Sequence, residues 1–155
     1  MPSATTRVLG MGAVAGLRSM AAPAALSRAA SNGRIDGLED TPFAALGSSR
    51  ASKLLTSLEA GELVADKLPM TPSRTSAPAL VGRAFSGAVV GAALFASEGR
   101  RTVTGAILGG AAAVAAAYAG ERLRALAGEK TRLPDPVVAC AEDTVALVSA
   151  RRLLR

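Results

Sequence analysis

Three carboxylates lie on one face of a predicted helix. Glu59, Glu62 and Asp66 are spaced i, i+3 and i+7, so on an α-helix of about 3.6 residues per turn they fall within about 60° of one another. Acidic groups this close repel one another unless cations, solvent or protons offset the repulsion. The stripe therefore predicts a cation-binding or proton-binding surface, with Glu62 and Asp66 as its principal ligands.

A second acidic pair lies near the C-terminal end of the chain. Glu142 and Asp143 are adjacent within an otherwise apolar segment, and neighbours on a helix are about 100° apart. At most one of them can therefore share a site with the first stripe. Arg18 and Arg83 also interrupt apolar segments, and we expect them to be the counter-ions. Charged residues within membrane helices are costly and by default indicate a functional site.

Two interpretations of these charges remain open. In the first, the carboxylates line an ion or proton pathway of a transporter or channel-like protein. In the second, the charges form buried ion pairs that fix the helix assembly, or they belong to a helix lying on the membrane surface. A cavity beside the carboxylates would favour the first interpretation, and burial against arginine would favour the second.

Other kinds of chemistry have little support. The chain has no histidine and a single cysteine, Cys140, so we expect no metal site built on those residue types. No serine has a paired base within its own segment, and we therefore expect neither enzymatic activity nor a cofactor. The net charge is +6 with 3% aromatic residues, and the basic residues cluster at segment ends. This pattern favours membrane flanks over nucleic-acid binding.

Two apolar segments, residues 78–97 and 102–120, predict a transmembrane hairpin. Each is close to the roughly 20 residues that a helix needs to cross the hydrocarbon core, and only a short charged break separates them. Hydrophobic residues make up 50% of the chain. We therefore expect a multi-pass protein of the cell membrane, with the lipid bilayer as its main partner.

The remaining helices are predicted from apolar runs and terminal signals. They are a broken apolar helix over residues 8–30, which we expect to be retained in the mature protein, an acid-bearing helix over residues 43–68 and a C-terminal helix over residues 137–154. Arg18 and Pro23 interrupt the first of these, and residues 121–136 predict a charged loop. Together the elements predict one all-α integral membrane domain over residues 1–155, with four to five helices.

Glycines spaced four residues apart recur in the apolar segments. The pairs are Gly12 and Gly16, Gly87 and Gly91, and Gly105 and Gly109. Each pair puts a surface without side chains on one helix face, where helices in lipid can approach closely. Each glycine also costs about 1 kcal/mol of helix propensity, which favours a packing role over simple compositional bias. We expect tight packing and a homo-oligomer.

The distribution of charge leaves the orientation in the membrane open. Successive connections between the apolar segments are all basic, so the positive-inside rule hardly distinguishes the two sides. The two halves of the chain each hold an acid-bearing helix. We therefore expect either an internal inverted repeat or subunits inserted in both orientations.

Five short motifs, taken in order, resemble a known family. They are GLRSMAAPAAL from Gly16, GELVADKLP from Gly61, GRAFSGAVVGAALF from Gly82, GAILGG from Gly105 and PDPVVACAEDTVAL from Pro134. In this order the chain is similar, over about residues 16–152, to the bacterial membrane proteins grouped as domain of unknown function 4126. The resemblance implies a small multi-pass membrane protein and assigns no activity, so it bears on location and leaves function open.

Overall fold

The chain folds as a bundle of α-helices. The computed structural model describes residues 2–65, 76–131 and 135–154, with side chains described outside residues 127–142. In these residues the helices are α1 (Ala4–Leu17), α2 (Ala21–Ser31), a short 3-10 helix (Ala44–Gly47), α3 (Ser49–Ala65), α4 (Ala77–Ser97), α5 (Thr102–Thr131) and α6 (Asp135–Leu153). The predicted all-α class is confirmed. The six α-helices of the described residues exceed the expected four to five.

The additional helix arises because the N-terminal apolar segment divides in two. The Ser3 hydroxyl accepts a hydrogen bond from the Thr6 N–H at 3.2 Å, and this cap starts α1 earlier than residue 8. Arg18 has extended backbone angles, φ −143° and ψ 113°, which end α1. Pro23 lies in the first turn of α2, where a missing N–H costs no helical hydrogen bond. The predicted broken helix is therefore two separate helices.

These two helices run antiparallel as a hairpin. The start of α1 lies beside the end of α4, because Arg7 Nη1 is 3.0 Å from Glu98 Oε1. The last turn of α1 instead contacts Arg83, near the start of α4. After α2 the chain is back at the end of α4, where Gly37 abuts a backbone carbonyl. Residues 18–20 thus form the turn of this hairpin, the hairpin tip, in which Arg18 is buried and Ser19 and Met20 are partly exposed.

The opposite end of the bundle, the turn end, holds the connection between α4 and α5. Gly99 takes a positive φ of 66° there, and the Arg100 N–H donates to the Phe95 carbonyl at 2.8 Å. The end of α6 lies at the same place, since Arg7 Nε donates to the Leu153 carbonyl at 3.2 Å. Helices α1 and α5 therefore run away from the turn end, whereas α2, α4 and α6 run towards it.

Several predicted boundaries were wrong. Helix α5 continues beyond Gly120 to Thr131, because its charged continuation is rich in Glu, Arg, Leu and Ala, all good helix formers. Most of the expected loop over residues 121–136 is therefore helix. Helix α3 starts at Ser49 rather than residue 43, since the Ser48 hydroxyl accepts from the Ala51 N–H at 3.2 Å and caps it there. Helix α6 starts at Asp135 rather than residue 137.

Two helices are long and apolar enough to cross a membrane. They are α4, Ala77–Ser97, with a mean hydropathy of 1.7, and Thr102–Leu126 of α5, with a mean hydropathy of 1.5. In the most apolar 18-residue stretch of each helix, 28% of α5 is buried inside the bundle, against 50% of α4. Large apolar side chains such as Phe85, Val103 and Ile107 point outward and are 65–70% exposed. Much of the outer surface of this helix pair is therefore apolar.

Helices α1, α4 and α5 meet at positions without side chains. A Cβ atom added at Gly12 or at Gly87 would lie 2.5 Å from the Gly109 carbonyl oxygen, too close for any real side chain. The six glycines at these crossings are Gly12 and Gly16 of α1, Gly87 and Gly91 of α4, and Gly105 and Gly109 of α5. In each case an added Cβ would meet backbone of a neighbouring helix. Glycine is thus the residue that fits these backbone distances.

A matched pair of alanine substitutions tests the crossings. We expect Gly109→Ala to lower the stability by about 1 to 3 kcal/mol, because the added methyl would meet the Gly87 carbonyl. Gly82→Ala in α4 makes the same chemical change where nothing lies within 4 Å, so it should raise the stability by up to about 1 kcal/mol through helix propensity. Thermal unfolding in detergent micelles, followed by circular dichroism, measures both. Equal shifts for the two variants would contradict a role for close backbone contact.

Candidate functional site

Polar side chains from three helices converge on the polar side chains of the hairpin tip. The tip supplies Arg18 and Ser19, α3 supplies Glu62, α4 supplies Arg83 and Ser86, and α6 supplies Asp143. Arg18, Arg83 and Ser86 are only 4–5% exposed. Burial of this many polar groups is costly unless each finds a partner, so their contacts define what the site does.

The Glu62 carboxylate binds the N-terminal end of α2. Its Oε1 accepts from the Ser19 N–H at 2.9 Å and from the Ser19 hydroxyl at 2.7 Å, and its Oε2 accepts from the Met20 N–H at 2.8 Å. The start of a helix has N–H groups without intrahelical partners and a partial positive charge. Glu62 therefore replaces the missing side-chain cap of α2 from a different helix.

Helix α4 binds the carbonyl groups of the same tip. Arg83 Nη1 donates to the Gly16 and Leu17 carbonyls at 2.6 and 2.8 Å, in the last turn of α1, where carbonyls lack helical donors. Ser86 lies three residues further along α4 and donates from its hydroxyl to the Ser19 carbonyl. Cationic and hydroxyl donors thus satisfy one side of the tip, and Glu62 satisfies the other.

An ion pair joins the tip to α6. Arg18 Nε lies 2.5 Å from Asp143 Oδ1, and the two side chains are 5% and 15% exposed. Of the acidic pair predicted from the sequence, Asp143 therefore reaches the tip. The Glu142 side chain and all of Asp66 lie outside the described residues.

The acidic stripe of α3 serves two different partners. Glu59 is buried against Arg28, with Arg28 Nη1 2.6 Å from Glu59 Oε2, whereas Glu62, one turn later, binds backbone. Sequence reasoning identified both acids as members of one stripe but missed Arg28. It also missed Ser86, although the i, i+3 spacing from Arg83 places the two on one helix face.

A groove leads from the tip region towards the turn end. It encloses about 410 Å³ between α1 and α6, from Leu17 and Val145 to Leu153, and its lining is mainly apolar. In the part of the chain that the structure describes, no group of three or more potential metal-ligating side chains occurs. The described part of the tip contains two carboxylates: Glu62 accepts hydrogen bonds from Ser19 and Met20, and Asp143 is paired with Arg18.

These features define an all-helical protein with two candidate membrane-spanning helices and a polar turn inside the bundle. The chain matches the family model described as Domain of unknown function (DUF4126) over residues 6–151. It belongs to that family, as the order of its motifs predicted. No curated protein and no solved structure matches the chain.

Truncating Glu62 tests its role as an external helix cap. We expect Glu62→Ala to destabilise the fold by about 2 to 4 kcal/mol, because the Ser19 and Met20 N–H groups would lose their acceptor inside the bundle. Glu62→Gln keeps an acceptor oxygen and should cost less than half as much. The control is Glu39→Ala in the exposed loop after α2, which we expect to be neutral. Thermal unfolding in micelles that shows Glu62→Ala no worse than Glu39→Ala would refute the capping role.

Proposed function

We propose that this protein is a small multi-pass transporter or channel-like protein of the cell membrane that binds a cation or proton at the hairpin tip. The depth of the tip is the observation that carries the proposal. Helix α1 starts at the turn end and has 14 residues, so it places the tip about 21 Å away. If α4 and α5 cross a hydrocarbon core of about 30 Å, the tip lies well inside it.

A polar turn at this depth argues for a functional role. In lipid, non-helical backbone is tolerated only where protein buries it or where it lines a water-filled cavity. Charged residues there cost about 2.5 to 3.5 kcal/mol each on insertion scales. Transporters use broken helices near the midplane because the exposed helix ends bind ions and charged groups. The hairpin tip has the same components. They are the end of α1, the start of α2, the carboxylates of Glu62 and Asp143, and the buried Arg18 and Arg83.

The contacts suggest how ion binding and movement are coupled. A proton or cation that binds Glu62 competes with the three donors that the carboxylate accepts from Ser19 and Met20. Binding at Asp143 likewise competes with Arg18. Arg18 and Arg83 act as counter-ions in this scheme. The groove beside Leu17 lies next to the tip, and neither Glu62 nor Asp143 lines it. Asp66 and Glu142 stay candidate ligands from the sequence.

The chain order of the helices supports an internal repeat as part of the proposal. Helices α1 to α3 and α4 to α6 form two halves of three helices each. The third helix of each half supplies one carboxylate to the tip, Glu62 from α3 and Asp143 from α6. An inverted repeat and a homo-oligomer both remain predictions.

The pairing of the charges favours a second candidate, a membrane protein of structural or assembly function. Glu59 and Asp143 each bind an arginine, and Glu62 binds backbone donors. The close glycine crossings add a surface through which helices associate. In this alternative the charges fix the hairpin in place, and nothing is transported.

Membrane residence is the first requirement of either function. We expect the protein to remain with the membrane fraction after an alkaline carbonate wash, because α4 and α5 expose apolar surface along much of their length. Immunoblotting of pellet and supernatant measures the distribution. A peripheral membrane protein released by the same wash is the control. Recovery in the supernatant would exclude an integral membrane protein.

Ion flux separates the two candidate functions. In proteoliposomes loaded with a pH-sensitive dye, and separately under sodium and potassium gradients, we expect the wild type to conduct or exchange one of these ions. Glu62→Gln and Asp143→Asn should each slow the flux at least about tenfold, because a neutral amide cannot bind the cation or carry the proton. Glu39→Gln, in the exposed loop, should leave the flux unchanged.

The same assay gives the opposite result for an assembly protein. Wild-type flux equal to that of protein-free liposomes, or equal flux in the wild type, Glu62→Gln and Asp143→Asn, would reject the transport proposal. Size-exclusion chromatography of each variant before reconstitution ensures that the compared samples are folded and of equal size.

A further inference from the structure

Three arginines line one small cavity at the turn end of the bundle. Arg28 in the last turn of α2, Arg34 in the loop that follows and Arg151 in the last turn of α6 surround a space of about 200 Å³. Ala25 and Leu154 supply apolar lining. Like charges that share a cavity destabilise each other unless something offsets them, so the surrounding counter-charges decide what the cavity holds.

The described residues provide little negative charge for this cavity. Glu59 neutralises Arg28. Among the residues that the structure describes, no side-chain hydrogen bond or ion pair is found for Arg34 or Arg151. Arg34 and Arg151 are themselves exposed, so the cavity is open to solvent. The acidic residues Asp36, Glu39 and Asp40 of the neighbouring loop are also exposed, and none of them lines the cavity.

The helix ends offset only part of the remaining charge. Helices α2 and α6 both end beside the cavity, and each helix C-terminus carries about half a negative charge. With Glu59, they offset part of the charge of the three guanidinium groups, so the cavity is electropositive. Guanidinium groups suit the oxygens of phosphate esters.

We propose that this cavity binds the phosphodiester headgroup of an anionic phospholipid. It lies at the turn end, where the connection between α4 and α5 leaves the two candidate membrane helices, and this is the level of the headgroups when those helices span. Basic pockets between membrane helices bind anionic headgroups in this position. The apolar lining from Ala25 and Leu154 suits the glycerol and acyl portions of a lipid better than a fully hydrated anion. The proposal depends on membrane location and is independent of transport.

Lipid titration of the purified full-length protein tests the proposal. Native mass spectrometry from an uncharged detergent reports the binding of dioleoyl phosphatidylglycerol and dioleoyl phosphatidylcholine, each added alone, and of phosphatidylglycerol in the presence of inorganic phosphate. We expect phosphatidylglycerol to bind at least about tenfold more tightly than phosphatidylcholine, and inorganic phosphate to leave its binding unchanged. The variant Arg34→Gln/Arg151→Gln should raise the Kd for phosphatidylglycerol about 10-fold to 30-fold, as expected for the loss of two basic contacts.

Matched variants control for net charge and folding. Arg101→Gln/Arg122→Gln removes two exposed arginines that do not line the cavity and should change the Kd less than about threefold. The charge-retaining variant Arg34→Lys/Arg151→Lys should keep most of the affinity. If Arg34→Gln/Arg151→Gln melts at a lower temperature than the wild type in the uncharged detergent, the single variant Arg34→Gln decides, since Arg34 is an exposed loop residue. We expect a fivefold to tenfold loss for it.

Four outcomes would overturn the proposal. Equal affinity for the two lipids would show that the cavity does not select charge. Equal losses in the cavity variant and the Arg101→Gln/Arg122→Gln control would show that only net charge matters. Competition by inorganic phosphate would identify a soluble phosphate as the ligand. A change of oligomeric mass in Arg34→Gln/Arg151→Gln, without any lipid preference in the wild type, would assign the cavity to an interface between copies of the chain.

Discussion

The fold depends on satisfying the backbone of one buried turn. At the hairpin tip the last carbonyls of α1 and the first N–H groups of α2 have no helical partners, and an unpaired buried group costs about 1 to 3 kcal/mol. Arg83 and Ser86 bind the carbonyls, and Glu62 binds the N–H groups. The Arg18 carbonyl is used within the turn, by the Ala21 N–H at 3.3 Å. Helices α3 and α4 are therefore tied to α1 and α2 through complementary charge.

The glycine crossings are the second constraint, and they act together with the first. Arg83 and Ser86 reach the tip only if α1 lies close to α4, and Gly87, directly after Ser86, lies at one of the close crossings of α4 with α5. The backbone contact of Gly16 with Ala113 holds the last turn of α1 against α5. A larger side chain at such a crossing would separate the helices by more than a hydrogen bond tolerates. The close packing at the glycine crossings and the hydrogen bonds to the hairpin tip therefore depend on each other.

The features that follow from local sequence were predictable. Hydropathy located α4 and α5, and the arginine and proline in residues 8–30 indicated the break in that segment. The return of α2 along α1 could not be predicted, because it depends on partners more than forty residues away, such as Glu62. The i, i+3 spacing placed Glu59 and Glu62 on one face but could not reveal that one binds Arg28 and the other binds backbone. The true end of α5 was missed because charge indicated a loop where helix propensity was high.

Glu62 has a dual role in the proposed transport function, and this links structure to mechanism. In the structure its carboxylate is the acceptor for the first N–H groups of α2, so it holds the start of α2 in place. A proton or cation on Glu62 weakens those hydrogen bonds, since a neutralised carboxyl is a poorer acceptor. By linkage, a conformation in which these hydrogen bonds are broken would bind the ion more tightly than the observed conformation does. The difference in binding free energy would equal the free energy by which the ion weakens the hydrogen bonds. The binding of the ion at Glu62 and the position of the hairpin would then be coupled in one equilibrium. The Arg18–Asp143 pair connects the same tip to α6.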